Sequence, residues 1–288
     1  MMIFCAWQLI ACSYPWNGEF KPTFNGSISS AEEVLDRFGA LFANGKQHHL
    51  LQKEVQNANM LLQRAACTLR EFHSQAHEDR KILPTLLALN APSRSGTFVE
   101  IGAYNGVKFS NTFLLEACWN WTGLLIEANP SNFRSLVRSG RKALMVHAAA
   151  CSAPQGGTVE FAKHSGLMSG MSRGDKSSVL VPCRPLATLM AEASIWKADF
   201  LSLDVEGAEE LVISTVDPAL FKVIVVELDG RNRSKDDNVK ARLHAAGFRQ
   251  ERTNGEGQFI GPNSLFVRED VAYFSPPASY KYKAWSRG

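Results

Sequence analysis

Residues 98–107 read FVEIGAYNGV, an apolar run that stops on glycine. Phe98, Val99 and Ile101 stand almost without polar interruption, the pattern of a strand covered on both faces rather than of one with a wet side. Glu100 and the glycines Gly102 and Gly106 then fall at the end of the strand and on the turn that follows. A glycine there lets the backbone approach a ligand closely and take a positive φ where the turn demands it. The helix expected next offers free N–H groups to an anion. The same pattern also suits a plain tight turn, so its surroundings have to decide.

Downstream, four more apolar runs occupy residues 123–128, 143–148, 198–204 and 222–228, each separated from the next by at least a helix's length. Buried strands joined by helical crossovers make a parallel sheet with helices on both sides. Residues 158–161 and 179–182 are predicted to form a hairpin-like insertion. A helix over 236–246 leads to strands at 248–252 and 264–268, joined by a tight Gly261-Pro262-Asn263 connection and paired antiparallel.

Upstream the chain changes character. Residues 1–30 read as a loop-like segment that begins with an apolar run from Met2 to Cys12, broken only by Gln8. Ala11-Cys12-Ser13 faintly resembles a signal-peptidase site, but no Lys or Arg precedes the run. The run is also too short to span a bilayer, so no stable membrane insertion is expected. Residues 31–72 form a helical extension, opened by a capping box at Ser30 and Glu33. Its second helix, over 48–72, carries Leu51, Val55, Ala58, Leu62, Ala65, Leu69 and Phe72 at alternating steps of four and three. That heptad seam is expected to pack on the chain's own domain, residues 73–288; a homodimer through it is the alternative.

The net charge of +3 is mild. Arg134, Arg138, Arg141 and Lys142 read as a solvated helix face, so no nucleic-acid partner is expected. The six cysteines show no paired close spacing. They read as buried thiols of a reducing compartment, the cytoplasm being favoured and the secretory route the alternative. The triplets at Asn25, Asn120 and Asn232 fit the N-x-Ser/Thr pattern, which matters only on that second route.

The chemistry sits at strand ends. GLLIEANP places Glu127 at the tip of the second strand, where a carboxylate can accept both hydroxyls of a ribose. The G-x-G-x-x-G pattern favoured by dinucleotides is absent, because the glycines are spaced Gly-x-x-x-Gly. DFLSLDVEGAEE brings Asp204 and Glu206 to the same edge, and VVELDG adds Glu227 and Asp229. Such acids suit general-base work or a divalent cation, and equally the capping of the next helices. His147 reads as a satisfied core residue; His164 faces substrate or lies in a loop.

Taken together, SQAHED at residues 74–79, FVEIGAYNGVKFSNT, GLLIEANPSNF and DFLSLDVEGAEE resemble, in order and spacing, the FkbM-type methyltransferase family across residues 74–268. The resemblance implies a Rossmann-like class I methyltransferase fold: α/β, mostly parallel and seven-stranded, its last strand antiparallel, with an N-terminal helical extension. It also implies S-adenosylmethionine as cofactor and O-methylation of a hydroxyl-bearing small molecule such as a sugar or natural product. By that likeness Ser74, Gln75, Glu100, Gly102, Ala103, Gly106, Glu127, Ala128 and Ala149 surround the cofactor. Asp204, Glu206 and Glu227 would serve catalysis, with Asp204 as the base. A Mg²⁺ bridged by Asp204 and a fifth-strand acid is the variant reading. A methyltransferase fold kept only for protein interaction is the rival.

Overall fold

The computed structural model describes residues 58–89, 95–153, 157–162, 178–251 and 263–274. Along β1 (Thr97–Ile101), Phe98 enters one apolar core while Val99 and Ile101 enter another. In β2 (Thr122–Glu127), Leu125 joins the first core and Leu124 and Ile126 the second. Successive strand residues point to opposite faces, so uninterrupted apolar runs supply two cores at once.

The first core is closed by α1 (Ala58–Arg70), α2 (Glu78–Leu89) and α3 (Phe113–Trp119). After β2 come α4 (Pro130–Val137) and β3 (Leu144–His147). A small three-stranded sheet follows: β4 (Ala149–Ala150), β5 (Gly157–Ala162) and β6 (Ser178–Arg184). Its β5 and β6 pair antiparallel, as the insertion was expected to do. The second core is closed by α5 (Leu186–Glu192), α6 (Glu209–Ser214) and α7 (Arg233–Ala245), which lie around β7 (Phe200–Leu203), β8 (Val223–Glu227) and β9 (Phe248–Glu251). The last strand is β10 (Asn263–Arg268).

The main sheet runs β3-β2-β1-β7-β8-β10-β9. Only β10 opposes its neighbours, and it slots between β8 and β9 instead of forming the edge. Chain order reverses between β1 and β7, so the crevice expected of an open α/β sheet opens beyond their C-terminal ends. Gly261 and Pro262 of the tight connection lie outside the described residues, as do the helix from Ser30, the seam positions Leu51 and Val55, and His164.

Leu62, Ala65 and Leu69 of the heptad seam are buried in the first core, which is packing on the chain's own domain. Two readings of the sequence are corrected. Cys67 pairs with Cys118, joining α1 to α3, and Cys151 pairs with Cys183, joining the end of β4 to β6. The lone-thiol reading failed because partners 51 and 32 residues apart leave no local spacing signal. Arg141 is no part of a solvated helix face, since α4 ends at Val137 and Arg141 is 7% exposed. Its guanidinium donates to the Gly106 carbonyl (2.6 Å), to the hydroxyls of Ser110 (3.2 Å) and Thr112 (2.9 Å), and to Glu116 (3.0 Å).

Candidate active site

The turn after β1 is held from three sides. Gly102 adopts φ +81°, and a Cβ built there would stand 1.9 Å from the carbonyl oxygen of Asp204, so only glycine fits between the ends of β1 and β7. The N–H groups of Gly102 and Ala103 donate to the Ile126 carbonyl at the end of β2. The helix expected directly after Gly106 starts only at Phe113, which corrects the anion-binding reading of that turn. Asn105 Oδ1 takes the N–H groups of Val107 and Lys108, and Ser110 Oγ takes those of Thr112 and Phe113. None of these four is left for an anion.

Glu100, only 4% exposed, anchors this loop. Its carboxylate accepts from the Ser110 hydroxyl, the Asn111 N–H and the Thr112 hydroxyl. Glu127 is 6% exposed and accepts from the Tyr104 N–H and the Asn129 N–H, both at 2.7 Å. Burial pushes its carboxyl up to about 7, although those two N–H groups and the Asn132 side chain act the other way. His147 meets the Ala128 carbonyl through Nε2 at 3.0 Å and stacks on Phe133, in line with its reading as a satisfied residue.

The opposite wall is built differently. One carboxylate oxygen from each of Asp204, Glu206 and Glu227 lies within 4.8 Å of the others. Among the described residues, no backbone N–H donates to any of the three. Asp204 is exposed to the cleft, while Glu206 and Glu227 are half-buried. Burial, together with the nearby Glu206 and Glu209, raises its carboxyl to about 6. Burial and the Asp204 charge raise Glu227 to about 7. A hydrogen bond joins the two, and it lowers Asp204 while raising Glu227. The two therefore titrate as one coupled pair, with a proton held between them near neutrality. Burial and then Glu227 also raise Glu206, which stands at φ +53°. The same three oxygens have the spread and chemistry of ligands for a hard divalent cation.

Behind them, Glu209 is fully buried and receives the Val205 N–H (3.4 Å) and the Gly207 N–H (2.9 Å), so it shapes the loop that carries Glu206. Lys235 of α7 forms an ion pair with Glu209 and contacts Asp236. Burial opposes the Lys235 charge, but those two acids outweigh it and raise its pKa.

Between the walls lies a cleft of about 390 Å³, within the usual range for a small-molecule site. Gln75, Glu100, Gly102, Ala103, Glu127, Ala128, Ala149, Asp204, Glu206 and Glu227 all line it. Ser74 and Gly106 do not: Ser74 is tied to Asp79 by a hydroxyl bond of 2.6 Å, and Gly106 packs near Leu136 and Ser139. Asp229, the other acid of the fifth run, pairs with Arg231 at 3.0 Å. The sequence reading missed Tyr104, Ser110, Asn111, Ser202, Phe161 and Arg231, which also line the cleft, and the supporting pair Glu209–Lys235. A wider depression of about 760 Å³ beside Pro185, Asp217 and Arg242 holds no comparable group of acids.

A seven-stranded sheet of this order, with its glycine turn and acidic strand ends, defines a Rossmann-like methyltransferase fold. The pattern of the FkbM methyltransferase domain matches residues 100–250, and the chain belongs to that family. None of the curated proteins matches. Among solved structures, the methyltransferase FkbM from Methylobacillus flagellatus KT aligns at 14% identity and TM-score 0.40, covering 81% of this chain and 58% of that one. A putative caffeoyl-CoA O-methyltransferase from Staphylococcus aureus aligns at 11% identity and TM-score 0.41, covering 77% and 99%. A precorrin-6y C5,15-methyltransferase from Geobacter metallireducens GS-15 aligns at 15% and 0.35, covering 71% and 85%.

Proposed function

We propose that the chain transfers the methyl group of S-adenosylmethionine to a hydroxyl oxygen of a small molecule, such as a sugar or natural product. The observation that carries this reading is the contrast in donors across the cleft. Glu127 is fixed by backbone N–H groups, whereas Asp204 and Glu227 face each other with one proton between them.

The cleft fits the cofactor in size and chemistry. Glu127 takes the ribose hydroxyls at the β2 tip, while Ala103, Ala128, Ala149 and Phe161 offer an apolar wall to the base. With no helix N-terminus at the turn, Gln75, Lys108 and Asn111 are among the polar side chains that meet the methionine portion. When bound, the cofactor supplies an electrophilic methyl on a sulfonium. A hydroxyl is a weak nucleophile at neutral pH, so the protein has to align it and remove its proton. Asp204 accepts that proton, with Glu227 as its hydrogen-bonded, coupled partner. Glu206 orients the acceptor beside them.

Incubation with methyl-labelled S-adenosylmethionine and a panel of glycosides, phenols and aliphatic alcohols tests the proposal. Label should move to oxygen on at least one acceptor and should survive a chelator. Calorimetric cofactor binding with no transfer to any acceptor would favour the interaction-module reading. Transfer abolished by chelator and restored by Mg²⁺ would assign the three acids to a metal instead.

A further inference from the structure

All four cysteines among the described residues are paired, Cys67 with Cys118 and Cys151 with Cys183. Their Cα atoms stand 5.6 and 5.7 Å apart, the spacing at which a bridge needs no backbone movement. The first bridge spans 51 residues and fastens α1 onto α3, beside a Trp119 Nε1–H bond to the Thr68 hydroxyl. The second fastens β4, whose Ala149 and Ala150 line the cleft, to β6. Bridges of this kind form and persist in oxidising compartments. In such a compartment an Asn-x-Ser/Thr triplet is a substrate for oligosaccharide transfer, and two of the three triplets lie among the described residues.

Those two triplets differ in geometry. Asn232 caps α7, its Oδ1 accepting the Lys235 N–H at 3.2 Å, and its neighbour Arg231 lines the cleft. A glycan there would crowd the mouth of the site. Asn120 instead ends α3 in the left-handed region, φ 55° and ψ 32°, with its backbone N–H on the Leu115 carbonyl. Asn120 and Thr122 are both exposed, while Trp121 between them is buried. A left-handed helix cap alone explains an asparagine at 120, but it does not require an exposed threonine two residues on. The six residues of β2 separate this corner from Glu127 by about 20 Å at the usual strand rise, so a glycan leaves the cleft open.

We propose that the chain folds in an oxidising lumen and carries an N-linked glycan on Asn120. Asn120 Nδ2 bonds to the anomeric carbon of a lipid-diphosphate-linked oligosaccharide. The anomeric C–O bond breaks, the lipid diphosphate leaves with its electron pair, and one amide proton passes to base.

The test expresses the full chain, with its own first residues, in a eukaryotic cell. Peptide mass mapping is done with and without an amidase that cleaves Asn-linked glycans and leaves aspartate. The expected result is a glycan on Asn120, converted to aspartate by the amidase, on a chain whose Cys67–Cys118 and Cys151–Cys183 peptides are linked until reduced. Asn120→Gly keeps the left-handed cap and removes the acceptor, so its glycan should vanish without loss of fold. Thr122→Val should lose the glycan too, and Thr122→Ser should keep it. A chain recovered with Asn120 bare, with a glycan on Asn232 alone, or with four free thiols overturns the proposal.

Discussion

The two walls of the cleft are both lined with carboxylates, but the carboxylates are treated in opposite ways. On the β1–β2 side, Glu100 and Glu127 each accept from groups on the loop beside them, and both are nearly inaccessible to water. On the β7–β8 side, Asp204, Glu206 and Glu227 find mainly one another. Donors fix an acid in place, so the first wall is suited to holding a ligand in one pose, although burial raises Glu127 to about 7 as well. Acids that crowd each other without donors resist ionisation, so the second wall is suited to taking up and releasing a proton.

If that division is right, the largest effect comes from the second wall. Asp204→Asn should leave cofactor affinity near normal and reduce kcat roughly 10²–10⁴-fold, the worth of a positioned base. Normal turnover in this variant would erase the distinction between the walls. Next comes the support behind it. Lys235→Met leaves Glu209 charged and unpaired in the core, and should lower unfolding stability by about 3–5 kcal/mol in urea titration. A smaller loss in Glu209→Gln with Lys235→Met than in Lys235→Met alone would sharpen the assignment of the pair. On the first wall, Glu127→Ala should weaken S-adenosylmethionine binding by about 1.5–3 kcal/mol, measured by calorimetry. Unchanged affinity there would remove Glu127 from the ribose site.

The smallest effect is a shift in pH dependence. With Asp204 raised to about 6 and Glu227 to about 7, the base form is lost as pH falls, so kcat/KM should drop on the acid side of neutrality. Glu227→Gln removes the partner that titrates at about 7 while still offering Asp204 a hydrogen bond, so the inflection should move down toward the value of Asp204, about 6. An unmoved inflection would uncouple the two acids. Stability runs the other way. The folded state holds these protons more tightly than the unfolded chain, so their contribution is full below about pH 4, where free carboxyls titrate. It fades as pH rises through 6 to 7.

Much of this was readable from the chain. Apolar runs such as 97–101 and 223–227 are unambiguous because a doubly covered strand has no polar side to confuse them. The strand-tip acids followed, since a strand end fixes where its last side chain goes. The stretch after Gly106 was misread as helix because period alone could not show that Asn105 and Ser110 would claim its N–H groups. The density of Asn, Ser and Thr from 105 to 112 was the available signal, since those side chains compete with the helical backbone. The pairs Glu209–Lys235 and Cys67–Cys118 were invisible for a different reason. Their members meet only after the sheet has ordered its helices, and no local pattern encodes that meeting.

The close approach of Gly102 to the Asp204 carbonyl has a mechanical meaning. The turn proposed to hold the cofactor and the residue proposed as the base are in contact through backbone, with no side chain between them to absorb a displacement. On the proposed roles, a shift of the turn on seating the cofactor would be passed straight to the base, so the two halves of the reaction would share one fixed point instead of being adjusted separately.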